Sequence, residues 1–220
     1  MRHVFVETNW VVDWAAPAHH QNPAAVELLE RARAGDLRIH LPSPCLTEAR
    51  PPIALRFQPR EAKSMRKFLR WADRSGLLDA DDAAVTRRVL DAYERTVAEA
   101  LEPDAVSARL TSLRTHPGVE VFSLDEGMLR RAVALTDLDL QLKAHDQSIL
   151  AAILERTAQL ARDDERDVCF ATLDRDLQPW VRGEPLIGLY DEVGLWVYGD
   201  FALRAPPRPE GWPAAADDAR

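Results

Sequence analysis

Residues 3–9 read HVFVETN, and this stretch decides how the rest of the chain is interpreted. The short apolar run His3–Val6 has the composition of a strand and stops at an acid, Glu7. An apolar cluster between Trp10 and Trp14 follows, with a spacing that suits the start of a helix. A strand followed at once by a helix is typical of a parallel α/β sheet. We therefore expect Glu7 to lie at the carboxyl end of the first strand.

The same alternation continues along the chain. Strand-like runs occur at His3–Val6, Arg38–Leu41, Val119–Leu124, Val168–Thr172 and Gly194–Tyr198. Helical periodicity lies between them, at Pro23–Ala34, Met128–Leu135 and Ile149–Leu160. Strands that alternate with helices predict an α/β fold, a parallel β-sheet flanked by helices in three α/β/α layers.

A long segment departs from this alternation. Between Arg50 and His116 the periodicity is helical only. The pair Pro51-Pro52 marks the start of this segment, and Pro117-Gly118 marks the return to a strand. We interpret residues 50–116 as an all-helical insertion within one domain that spans residues 1–204. Residues 205–220 read APPRPEGWPAAADDAR, which is the composition of a disordered tail rich in Pro and Ala.

Composition restricts the classes of function. The 36 acidic residues outnumber the 28 basic ones and give a net charge of −8, so any polyanion must be bound by a local basic surface. The two cysteines, Cys45 and Cys169, are far apart and do not form a metal or redox motif. Apolar runs are too short for a signal peptide or a membrane span, so we expect a cytoplasmic protein without a membrane.

Acidic residues follow the predicted strands repeatedly. They are Glu7, Glu48, Asp146, Asp174 and Asp176. Open α/β sheets bind ligands outside the carboxyl ends of their strands. A carboxylate cluster there repels itself unless a cation lies between its members, and Mg²⁺ and Mn²⁺ prefer such oxygen ligands. Any one of these acids alone is better explained as a solvated surface residue, so their order along the chain carries the argument.

Four motifs together resemble the PIN-domain nucleases. They are HVFVETN at 3–9, LPSPCLTEA at 41–49, LKAHDQSILAAI at 142–153 and CFATLDRDL at 169–177. In that family the first strand ends in an acid followed by Thr or Ser and Asn, and a Glu lies on the helix after the second strand. An Asp opens a later helix, and T-x-D-x-D follows a late strand. The resemblance spans nearly the whole chain outside the insertion and the tail.

The resemblance implies a metal-dependent endoribonuclease that hydrolyses RNA phosphodiester bonds. It places Mg²⁺ or Mn²⁺ on Glu7, Glu48, Asp146 and Asp174, with Asp176 as an auxiliary acid. It also places Thr8, Asn9 and Thr172 at the polar positions that orient the carboxylates. The family usually has Asp at the position of Glu7, whose extra methylene moves the carboxylate by about 1.5 Å. A protein antitoxin and a homodimer are further partners that the resemblance allows.

A basic stripe near the start of the insertion is a candidate RNA-binding surface. It consists of Lys63, Arg66, Lys67, Arg70 and Arg74. These residues share a narrow arc of a predicted helix, opposite an apolar face with Met65, Phe68, Leu69 and Ala72. The alternative is a solvated face paired with the acidic helix that follows.

Other interpretations stay open at this point. LDRDL also resembles the D-x-D motif of haloacid-dehalogenase-like phosphatases, although that motif ends the first strand there and lies late in this chain. A PIN-like scaffold that binds RNA or a protein without cutting is the main competitor. Trp10 and Trp14 are expected to pack in the core, and a structural or surface role is expected for His145.

Overall fold

The computed structural model describes residues 1–138 and 140–204. Its strands are β1 (Arg2–Phe5), β2 (Leu37–Pro42), β3 (Val119–Phe122), β4 (Val168–Ala171) and β5 (Trp196–Tyr198). Its helices before β3 are α1 (Thr8–Ala15), α2 (Pro23–Ala34), α3 (Pro44–Glu48), α4 (Arg50–Arg56), α5 (Arg60–Arg74), α6 (Ala80–Leu101) and α7 (Pro103–Thr115). Those after β3 are α8 (Glu126–Leu135), α9 (Ala144–Arg162), α10 (Pro179–Arg182) and α11 (Leu186–Glu192).

The five strands form one sheet in the order β3-β2-β1-β4-β5, and every pair of neighbours is parallel. The chain builds outward from β1 through β2 to β3, and then returns to the other side of β1 for β4 and β5. The direction of winding therefore reverses between β1 and β4. The predicted α/β class with a parallel, helix-flanked sheet is confirmed.

The core lies on both faces of this sheet. Phe5 on β1, Ile39 on β2 and Phe170 on β4 are all fully buried. Strands covered on both faces are expected to be apolar nearly throughout, because no face meets water. The four residues of β4, VCFA, are all buried, which explains why this stretch lacks the alternation of a half-exposed strand.

Helix α2 illustrates how closely the local signals specify an element. Asn22 caps its first turn by accepting a hydrogen bond from the Ala24 amide, and Gly35 ends it in the left-handed region with φ 87°. Gly118 then leads into β3 against the same helix. A Cβ at Gly118 would lie 2.3 Å from the Ala32 carbonyl oxygen, so the helix and strand can approach this closely only at a glycine.

Residues 50–115 form four helices, α4 to α7, in keeping with an all-helical insertion. The last of them packs into the main core through Val106, Leu110 and Leu113. Helices α5 and α6 instead form a hairpin that buries a small interface of its own, including Ala72 and Ala83. The insertion therefore has a packed base and a projecting hairpin.

No helix in the described part of the chain is long and apolar enough to span a bilayer. The tail predicted at residues 205–220 lies outside the described residues.

Candidate active site at the carboxyl edge of the sheet

The predicted acidic residues lie at the carboxyl edge of the sheet, around the point where the winding reverses. Glu7 follows β1, and Asp174 follows the adjacent strand β4. Glu48 is the last residue of α3, directly after β2, and Asp146 lies in the first turn of α9. Ligands of doubly wound sheets bind at this reversal, because the loops on its two sides diverge and leave a crevice.

Glu7 is the buried centre of the site, with only 5% of its surface exposed. It caps α1 by accepting a hydrogen bond at Oε2 from the Asn9 amide, at 2.7 Å. Its Oε1 accepts from the Thr172 hydroxyl at 3.2 Å. Burial, and secondarily the charge of Asp174, raises the pKa of Glu7 to about 8 against these hydrogen bonds. A carboxylate in this position is stabilised by any positive charge placed beside it.

Thr172 joins the two loops on either side of the reversal. It is fully buried, donates to Glu7 and accepts a hydrogen bond from the Asp174 amide at 3.0 Å. Asp174 in turn accepts from the Asp176 amide at 2.9 Å. Gln178 donates to the Thr172 carbonyl at 3.1 Å. The T-x-D-x-D segment is therefore held as a turn that directs Asp174 toward Glu7.

Glu48 and Asp146 form the other side of the site. The Thr8 hydroxyl donates a hydrogen bond to Glu48, and His145 Nε2 lies 2.5 Å from Glu48 Oε2. Burial, followed by the charges of Asp174 and Glu48, raises the pKa of Asp146. The protonation of Asp146 is therefore influenced by acids from both flanking loops.

The four carboxylates are linked electrostatically in one series: Glu7 to Asp174, Asp174 to Asp146, and Asp146 to Glu48. They nevertheless stand apart. No three His, Cys, Asp or Glu side chains among the described residues lie close enough together to hold one ion directly. Mg²⁺ commonly binds one or two carboxylates and keeps several waters, so an all-oxygen crevice of this kind suits its chemistry without a closed protein cage.

The polar positions differ in how they act. The side chains of Thr8 and Thr172 contact Glu48 and Glu7 respectively, whereas Asn9 contacts Glu7 through its backbone amide. Asp176 is turned away, since its carboxylate binds the guanidinium of Arg182. Its part in holding the site is the amide hydrogen bond to Asp174.

The sequence did not identify two residues that contact the site, His145 and Gln178. His145, for which a structural or surface role was expected, contacts Glu48 because the first turn of α9 faces α3. Only the fold brings these residues together, across nearly a hundred positions. Gln178 supports the Thr172 loop without any spacing that marks it. Trp10, by contrast, is fully buried and stacks on Trp14, as expected for core packing.

The basic stripe is divided in the structure. Arg66 binds Glu94 through two hydrogen bonds of 3.1 and 2.6 Å and also binds Asp91, all on α6. These pairs raise the pKa of Arg66 and lower that of Glu94. Within the described part of the chain, the other four cations form no ion pair; they are Lys63, Lys67, Arg70 and Arg74.

Comparison with known proteins found no matching family model, curated protein or solved structure. The resemblance to PIN-domain nucleases accordingly depends on the four motifs and on where the fold places them.

Proposed function

We propose that this protein is a metal-dependent endoribonuclease that uses Mg²⁺ or Mn²⁺ to hydrolyse RNA phosphodiester bonds. The observation that carries the proposal is that four acids from four separate segments lie at one edge of the sheet, around its reversal, and influence one another's charge in a single series. Surface carboxylates that only solvate a protein avoid one another, because mutual repulsion costs free energy. The resemblance to PIN-domain nucleases supplies RNA as the substrate.

In this proposal the principal ion would bind directly to Asp174 and to Glu7 or Asp146, and would reach the remaining carboxylate through one of its waters. Glu48 would aid a second ion or position water. A bound divalent ion supplies a water of lowered pKa and stabilises charge on the transferred phosphate. The chain itself fixes the ligands. Thr172 holds Glu7 in its rotamer and Asp174 in its turn, while Thr8 holds Glu48.

Two buried, uncharged side chains lie near the carboxylates. Cys45 is close to Glu7 and Glu48, and Tyr190 is close to Asp174. The Tyr190 hydroxyl donates to the Leu177 carbonyl at 2.8 Å. Burial raises the pKa of the Cys45 thiol, which keeps it neutral. Neutral, buried neighbours of this kind strengthen the interaction of the carboxylates with a cation, because the local dielectric is low.

A second candidate function is a PIN-like scaffold that binds RNA or a protein partner, such as an antitoxin, without cutting. One observation favours it: the carboxylates stand apart, and Glu48 is already engaged by Thr8 and His145. The same fold and surface serve both candidates, and they differ in whether bound RNA is hydrolysed.

The test is cleavage of a mixed-sequence RNA pool with Mg²⁺, Mn²⁺ or EDTA. Asp174→Asn keeps the oxygen that accepts from the Asp176 amide but removes the charge, so we expect cleavage to fall by about a hundredfold or more. Asp163→Asn is the matched control, because Asp163 is exposed at the far end of α9. It should cleave like the wild type.

Metal-dependent cleavage that disappears only in Asp174→Asn supports the nuclease. RNA that the wild type retards in a mobility assay, but leaves intact with either metal, contradicts it and supports the scaffold.

A further inference from the structure

We propose that the outer face of α5 is a platform for single-stranded RNA, on which bases stack against Trp71 and Phe68 while four neighbouring cations hold the phosphates. The proposal rests on the nuclease function above, since that function supplies the RNA. It goes beyond it by assigning a binding surface on the inserted hairpin, away from the carboxylates.

Two large aromatic residues of α5 face solvent. An apolar face on α5 is expected to be covered, yet Phe68 is 54% exposed and Trp71 is 51% exposed. Their ring centroids lie 5.8 Å apart. The side of α5 that packs on α6 uses the smaller residues Ala62, Leu69 and Ala72, which are nearly fully buried. The two aromatic rings are therefore not needed to fold the hairpin.

Four cations of α5 lie next to these aromatic residues on the helix surface. At about 100° per residue, Lys63, Lys67, Arg70 and Arg74 occupy a row about 60° wide. Trp71 follows this row by about 40° and Phe68 by about 100°. All four cations are exposed. Positive charges and aromatic faces thus lie side by side on the solvent half of one helix.

Arg66 differs from these four cations because it is paired. It lies on the α6 side of the same helix, where Asp91 and Glu94 neutralise it. Asp91 and Glu94 contact Arg66 rather than the outer row. Glu94 still interacts electrostatically with Lys63. The hairpin therefore uses its acidic helix to neutralise one cation and leaves a basic row for an external polyanion.

These features favour a single-stranded nucleic acid over other partners. Stacking on exposed rings beside a cationic track is how such strands are bound without sequence preference, because every base has a π-face. A duplex hides its base faces and would use only the cations. A second copy of this chain on a two-fold axis would bring the same basic row against itself, and the like charges would repel.

The platform also lies close to the carboxylates along the chain. Helix α4 begins two residues after Glu48, and α5 begins at Arg60. The helical and extended rises limit the distance between Glu48 and Arg60 to roughly 26 Å, and the helical rise from Arg60 to Arg74 adds at most about 21 Å. The Lys63 end of the platform therefore lies nearer to the carboxylates along the chain than the Arg74 end.

The experiment measures binding in EDTA, so that it does not depend on cleavage. A fluorescent single-stranded RNA of mixed sequence and its duplex are titrated with the full chain at several salt concentrations. Four variants are compared with the wild type: Trp71→Leu, Trp71→Tyr, Arg70→Ala and the control Arg33→Ala, which removes an exposed cation of α2 outside the hairpin.

We expect Trp71→Leu to weaken single-strand binding by about tenfold or more, and Trp71→Tyr to retain most of it. Arg70→Ala should lower the slope of log affinity against log salt by about 0.7, whereas Arg33→Ala should leave the slope unchanged. The duplex should be insensitive to Trp71→Leu. This pattern supports the platform even if the protein never cleaves RNA.

Several results would overturn the proposal. One is single-strand affinity that is equal in the wild type, Trp71→Leu and Arg70→Ala. Another is a wild-type dimer in sedimentation that Trp71→Leu dissociates, which would make the face a self-association surface. The last is tight binding to vesicles of anionic lipid that requires Trp71, with no effect of this residue on RNA.

Discussion

The central strands of the sheet bury their aromatic residues, whereas the α5–α6 hairpin exposes two of its own. Phe5 and Phe170 on the central strands are fully buried, whereas Phe68 and Trp71 on α5 are about half exposed. The two regions also differ in their charges. At the edge of the sheet, acidic side chains lie near one another around Glu7. On the hairpin, Arg66 is paired with acids of α6, and the other cations of the basic stripe form a row on the outer face that is unpaired among the residues the structure describes.

The contrast suggests a division of labour. The free energy gained by burying apolar side chains in the sheet offsets the repulsion among the carboxylates at its edge. Such a local loss of stability is common where function requires it. The hairpin gains little from packing and leaves its largest side chains in water, which is typical of a binding surface. The following predictions test each side of this comparison.

The largest expected difference is in stability. Phe170→Ala removes a fully buried ring from the central strands and should lower the free energy of unfolding by about 3–5 kcal/mol. Phe68→Ala removes an exposed ring and should change it by less than about 0.5 kcal/mol. Urea unfolding monitored by circular dichroism checks both. A large loss in Phe68→Ala would show that this ring supports the fold, and the comparison would fail.

The next prediction concerns cleavage and the length of the acid at position 7. Glu7→Gln keeps the shape but removes a charge from the proposed metal site, so cleavage and metal affinity should both fall steeply. Glu7→Asp keeps the charge and shortens the reach by about 1.5 Å, which should reduce the rate by about tenfold to a hundredfold.

Initial rates at saturating Mn²⁺, with matched folding, measure the effect. A rate in Glu7→Asp above that of the wild type would indicate a site that has not adapted to the longer acid. Equal rates and metal affinities in the wild type and Glu7→Gln would show that Glu7 is not a ligand.

A smaller effect is expected from an ionic cluster that joins β2, β3 and α9. His40, and then Arg156 and Arg38, lower the pKa of Glu120 to about 2. A lowered carboxyl pKa gives stability that is present above about pH 4.5 and is lost as the pH falls through about 2. Glu120→Gln should therefore cost about 1 kcal/mol at pH 7, allowing for solvent screening.

Thermal unfolding between pH 2 and 7 checks this prediction. The curves of Glu120→Gln and the wild type should converge toward pH 2. A constant difference across this range would mean that Glu120 acts through packing rather than through its charge.

The smallest effect is expected at Arg66. Arg66→Ala leaves Asp91 and Glu94 without their partner and brings the like charges of α6 together. Amide hydrogen exchange should become faster within α5 and α6, while exchange in β1 and β4 stays unchanged. Uniformly faster exchange throughout the chain would show that the hairpin is not an independent unit.

The sheet was predictable because its signals are local. HVFVETN and CFATLDRDL place an apolar strand directly before an acid, and the acid stays at the strand end whatever the rest of the chain does. Helix α2 was predicted with its observed ends, since Pro23 and Gly35 mark them.

Pairings that depend on the arrangement of elements were not predictable. The sequence offered pairing of the basic stripe with the following acidic helix as an alternative, and within the described residues the structure shows it for Arg66 alone. Which cation is paired, and with which acids, depends on how α5 packs on α6. The exposure of Phe68 could not be predicted from periodicity, because α5 packs on α6 through the smaller residues Ala62, Leu69 and Ala72. The contact between His145 and Glu48 likewise depends on α9 crossing to α3.

The most direct test of the carboxylate site is anomalous scattering from crystals soaked in Mn²⁺. We predict a peak in the crevice at the reversal of the sheet, in contact with Asp174 and with Glu7 or Asp146, and its loss in Asp174→Asn. A saturating soak that gives no peak at this edge, while the four side chains are ordered and accessible, would contradict the account.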